Sequence, residues 1–137
     1  MGIRLQALKV LGPEKLESGF RAAGEGGAEA LIVVGVGFFI PHRQRIVDLE
    51  LKNRLPAMHT HLRWVPAGGL MSYTTDSTAR YRRAATYVDR ILRGTKPADL
   101  PVERPTKFVF EINLKTAKQI GLTIPPEVLM RADRVIK

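Results

Sequence analysis

The sequence predicts an α/β domain, a mostly parallel sheet flanked by helices. Short apolar runs of strand length alternate with segments whose apolar residues recur every three or four positions. One run, Ala30 to Val36, is apolar at consecutive positions, the pattern of a strand covered by helices on both faces. Prolines and glycines fall where helices should open and close, which sets their limits.

The elements follow in order. Arg4 to Val10, with Leu5, Ala7, Leu8 and Val10 apolar, is expected to be a first strand. Pro13 suits the first helical position, and Leu16, Phe20 and Ala23 follow at spacings of four and three before Gly24, Gly26 and Gly27 end the helix. After the Ala30 to Val36 strand, Pro41 can open a second helix through Ile46, Val47, Leu49 and Leu51, ending near Asn53. Pro56 to His59 and Gly69 to Tyr73 read as brief strands, separated by a loop with Arg63, Trp64 and Pro66. From Asp76 the pattern is helical, with Tyr81, Ala84, Ala85, Val88, Ile91 and Leu92 on one face and Gly94 as the stop. Lys96 to Pro105 is an irregular connector, and Lys107 to Asn113 alternates as a strand with one buried face. Short helices then fit Leu114 to Ile120 and Pro126 to Ala132.

A length of 137 residues suits a single α/β domain, 1–137, with one core. At 45% hydrophobic residues the chain is not too polar to collapse. A formal charge of +9 attracts anionic partners non-specifically, but the basic residues are dispersed, so no specific nucleic acid is expected. The absence of cysteine excludes disulfides, thiolate zinc sites and a cysteine nucleophile. Met1 to Val10 holds no apolar run of signal-peptide length, so the chain as written is expected to stay in the cytoplasm.

Sheets of this class bind ligands outside the carboxyl ends of their strands, which directs attention to the loops 36–40, 59–62 and 72–75. Gly35-Val36-Gly37 resembles the start of a dinucleotide fingerprint, but Ile40 stands where the third glycine is needed, so no cofactor is expected. His59 and His61 could face one side of an extended segment, yet nothing completes a metal shell. Ser72 lies in no nucleophile motif, and no enzyme chemistry is expected. Its hydroxyl and the Tyr73 phenol suit hydrogen bonding to a small polar ligand, or Ser72 caps the helix that follows. Phe38 and Phe39 suit the apolar wall of a pocket, one of them packing into the core.

Several runs together carry a family resemblance: Gly68 to Tyr73, Tyr81 to Ala85 with Tyr87 to Leu92, Lys96 to Pro101, Ile112 to Ala117 and Gly121 to Pro126. In order and spacing they resemble the ABC transporter substrate-binding proteins related to the tryptophan-binding lipoprotein, and Leu5 to Pro56 is similar more loosely. The resemblance implies a truncated C-terminal lobe of a type I periplasmic binding protein, with 76–105 the helix and connector that cross to the opposite lobe. It implies capture of a small molecule, an amino acid or small organic acid, for a membrane permease, impaired when this part acts alone. It also implies an extracytoplasmic or lipid-anchored setting, and self-association through the helix at 77–93, whose usual partner is missing. The family often has an acid where this chain has Val36, and tyrosine where it has His59. Gly37, Phe38, Phe39, His59, Ser72 and Tyr73 are therefore the expected ligand-binding residues. The competing reading is a stand-alone cytoplasmic interaction or regulatory domain.

Overall fold

The computed structural model describes residues 2–34 and 37–137; Met1, Gly35 and Val36 lie outside the described residues. Val36, where the resemblance implies an acid, is therefore one of the positions outside the described residues.

Pro13 starts a single 3-10 turn that leads into α1 (Leu16–Glu25), where Leu16 and Ala23 are buried and Gly26 follows as the cap. β1 (Leu31–Val33) comes next, then a 3-10 turn at Gly37–Phe39 and α2 (Arg43–Asn53), which buries Ile46, Val47 and Glu50. Arg54 ends α2 in the left-handed region at φ 51°, the conformation that closes a helix. β2 (Ala57–His59) and β3 (Met71–Thr75) are separated by the loop that carries Trp64. α3 (Ser77–Leu92) starts at Asp76, whose carboxylate accepts the Ala79 N–H at 3.2 Å. The helix cap is thus Asp76 and not Ser72. Its carboxyl is held below the ordinary aspartate range, first by the Lys107 ammonium at 3.0 Å and then by that N–H. β4 (Phe108–Asn113), α4 (Leu114–Gln119), α5 (Pro126–Leu129) and β5 (Arg134–Ile136) complete the chain.

The sheet order is β1-β2-β3-β4-β5, parallel through β3, antiparallel between β3 and β4, and parallel again between β4 and β5. β5 has no alternation in sequence to announce it; pairing of Arg134, Val135 and Ile136 with Glu111, Ile112 and Asn113 makes it a strand. The expected strand at Arg4 to Val10 does not form among the described residues. β1 is an edge and pairs only with β2, so no ladder reaches this segment. It is held by other contacts: Arg4 donates to the Gly26 carbonyl at 3.1 Å, and Val10 packs against the core.

Two apolar clusters form. Leu16, Ile46, Val47 and Trp64 sit between α1, α2 and one face of the sheet. Leu70, Ile112, Ala117 and Ile124 sit under α4 and α5 on the other side. The second face of the sheet is covered only toward β4 and β5. Ile32 at 68% and Val34 at 65% exposure correct the expectation that this run is covered by helices on both faces. α3 has no buried residue, and Tyr81 and Leu92 on it face solvent.

Ile112 is fully buried and Leu92 largely exposed. Ile112→Ala is expected to lower unfolding free energy in urea by about 3 kcal/mol through cavity formation. Leu92→Ala should change it by no more than about 0.5 kcal/mol. Equal losses from both would mean that α3 packs in solution as tightly as the core does.

Candidate functional site

A row of residues crosses the sheet at the carboxyl ends of β1 and β2. Val33 pairs with His59, His59 with Ser72, Ser72 with Glu111 and Glu111 with Arg134. Cross-strand partners share a face, so these five side chains lie on the α1 and α2 side of the sheet.

His59 and Ser72 are fully buried. The His59 imidazole stacks on Trp64, with ring centroids 4.3 Å apart and planes 9° from parallel, and its Nε2 lies 3.3 Å from Glu50 Oε2. Glu50 comes from α2 and is itself buried. Two atoms of this pair, Glu50 Oε1 and His59 Nδ1, are buried without a hydrogen-bond partner, an arrangement that costs free energy unless water fills it. Farther along the row Ser72 Oγ donates to Glu111 Oε2 at 3.5 Å, and Arg134 Nη1 lies 3.0 Å from Glu111 Oε1. The hydroxyl of Ser72 is thus turned to a carboxylate beneath the surface.

Tyr73 follows Ser72 in a strand and must face the other way. It is 51% exposed, stacked on Phe108 at 5.3 Å and edge-on to Phe110 at 6.2 Å. Gly37, Phe38 and Phe39 form the 3-10 turn before α2. Phe39 packs against the Leu16, Ile46, Val47 and Trp64 cluster, while Phe38 lies outside that cluster, against Phe39 at 5.0 Å and His42 at 5.7 Å. The six expected residues thus fall into three groups: the Gly37 to Phe39 turn, the buried neighbours His59 and Ser72, and Tyr73 on the opposite face.

His61 is engaged locally: its Nδ1 accepts the Arg63 N–H at 3.2 Å. Among the described residues no group of three His, Cys, Asp or Glu is placed to hold a metal ion. Sequence reasoning missed Glu50, Trp64, Glu111 and Arg134. For Glu50 a signal exists, since it falls four residues after Ile46 on the apolar side of α2.

The buried Glu50 and His59 pair generates a stability prediction. Glu50→Leu alone leaves the imidazole without its partner and is expected to cost about 2 kcal/mol. Adding His59→Leu should recover much of that loss, because an apolar pair leaves nothing unsatisfied. A double-mutant cycle by chemical denaturation measures the coupling, and strictly additive losses would show that the two groups do not interact.

Residues 1–136 match the family described as ABC transporter substrate binding protein. No curated protein matches the chain significantly. Among solved structures, an ABC domain from Streptococcus pneumonia in complex with L-Trp superposes with a TM-score of 0.81 at 25% identity, covering 96% of this chain and 45% of that one. A conserved domain protein from Vibrio cholerae gives 0.81 at 24%, covering 92% and 42%. The ligand-free, open structure of a substrate binding protein with adhesive properties from Clostridium difficile gives 0.66 at 16%, covering 90% and 41%. The last two are likenesses of fold alone. The chain spans less than half the length of each of these structures.

Proposed function

The chain belongs to the ABC transporter substrate binding protein family, and from that premise we propose that it supplies one wall of a solute cleft in an ABC-type uptake system, with 76–105 crossing to the opposite wall. The observation that carries this reading is the Gly37 to Phe39 turn at the carboxyl end of β1, the place where open α/β sheets hold ligands. Phe38, outside the core cluster, offers an apolar surface to a solute, with Gly37 giving close backbone approach, whereas Tyr73, on the opposite face of the sheet, stands apart from this wall. Phe39, His59 and Ser72 support that wall from beneath. The solute is an amino acid or a small organic acid, and a membrane permease receives it. Acting alone, one wall binds weakly, because most of a ligand's surface is buried only when the cleft closes.

A thermal-shift series with amino acids and small organic acids tests this. At a concentration of about ten times the dissociation constant, binding raises stability by roughly 1.4 kcal/mol. Phe38→Ala should remove that increment while leaving the ligand-free midpoint nearly unchanged. If no compound stabilises the chain at tens of millimolar, the solute-wall reading is wrong for it.

We also propose that the chain self-associates through α3. Tyr81 at 75% and Leu92 at 82% exposure, on a helix with no buried residue, support this. Sedimentation at micromolar concentration should show a dimer or larger species, shifted toward monomer by Tyr81→Glu with Leu92→Lys. A monomer throughout would refute it, and an unchanged assembly in the double variant would remove α3 from the contact.

A further inference from the structure

The start of α2 and the loop after β2 face each other across an open concavity of about 750 Å³. Arg43, Arg63 and Arg134 line it, from three segments far apart in the chain, and the single carboxylate in its wall is Glu111. None of Gly37, Phe38, Phe39, His59, Ser72 or Tyr73 is part of that lining. We propose that this concavity is a binding site for a small solute bearing carboxylate or phosphate oxygens.

Charge bookkeeping supports the assignment. Glu111 is buried and engaged by Arg134 Nη1 at 3.0 Å and by Ser72 Oγ at 3.5 Å, so its capacity is taken up within the row. Arg43 donates one N–H to the Ile40 carbonyl at 3.1 Å, and among the described residues neither Arg43 nor Arg63 forms an ion pair. With Arg134 paired to Glu111, Arg43 and Arg63 are, among the described residues, the guanidiniums of the concavity left without a counter-charge, and a bound oxyanion relieves their mutual repulsion while accepting paired N–H donors. The positive end of α2 adds to the same field. Its cap residue, His42, makes no side-chain capping bond, and no acidic residue occupies the first turn. Leu62, Pro66 and Pro41 complete the wall with apolar surface, which suits a small organic solute with an anionic head. The assignment rests on these residues and not on the transporter reading.

Calorimetric titration of the whole chain at low ionic strength, with succinate and with inorganic phosphate in separate arms, tests the site. At least one of them should bind, and the arm that binds identifies the oxyanion class. Arg63→Glu should weaken that binding roughly tenfold or more, as loss of a charge-assisted contact requires. Arg43→Glu should do the same while placing an acid where the helix start favours one, so a folding defect does not account for the loss. Arg82→Glu, the same charge change on the exposed α3, should leave binding within about twofold, since distant surface charges are largely screened. Equal weakening by all three variants would reduce the effect to net charge and overturn the site. So would the absence of binding by either anion at millimolar concentration.

Discussion

The stacking of Trp64 on His59 lays an indole between α2 and the sheet, and the loop that follows binds the two halves of the fold together. Trp64 is fully buried, and covering such a side chain contributes roughly 5 kcal/mol of gross hydrophobic stabilisation. Its carbonyl accepts N–H donors from Ala67 at 3.0 Å and Gly69 at 2.9 Å, which closes the loop. Gly68 turns the chain at φ 102°, and its carbonyl accepts the Thr116 hydroxyl of α4 at 2.7 Å. At Gly69 an added Cβ would lie 3.0 Å from both His59 Nε2 and the Trp64 carbonyl oxygen, so glycine is what lets the loop rest on the imidazole. The cluster under α2 and the cluster under α4 are thereby joined through five or so residues of irregular chain.

The row from Val33 to Arg134 shows how this arrangement divides labour. Its buried members bond within the row or to α2, Ser72 to Glu111 and His59 Nε2 to Glu50, with His59 Nδ1 and Glu50 Oε1 left unpartnered. In the proposed reading a solute would meet the layer above them, the Phe38 turn, and in the further proposal the arginines that rim the neighbouring concavity. The opposite face of the sheet is treated differently. Its apolar positions Ile32, Val34 and Tyr73 stand in solvent, and β1 presents a free edge. Exposed apolar sheet surface and an unpaired edge both favour association, and so does the uncovered stripe of α3. Among the described residues no helix is long and apolar enough to cross a membrane.

Local chemistry was legible in the sequence wherever a few neighbouring residues decide the outcome. Pro13, Leu16 and Ala23 announced α1; Pro41 with Ile46 and Val47 announced α2; Asp76 and Gly94 bracketed α3, because caps and helical spacing act within one or two turns. The parallel α/β class followed from the alternation of such segments, and the family from runs of residues spread over the second half of the chain. Phe38 and Phe39 were legible as a turn between strand and helix, and strict strand alternation already requires Ser72 and Tyr73 to part.

Pairing was decided only by tertiary structure. Arg4 to Val10 has the composition of a strand and β5 hardly does, yet only β5 has a neighbour to bond with, and a strand exists by its ladder. The same holds for the site. Glu50 meets His59 nine residues on, Ser72 meets Glu111 on the next strand and Glu111 meets Arg134 on the one beyond, and Trp64 leaves a loop to become core, all through register and packing between segments. Those contacts join different elements of the fold, and although its spacing from Ile46 sets Glu50 on the apolar side of α2, no local spacing names the partner it meets there.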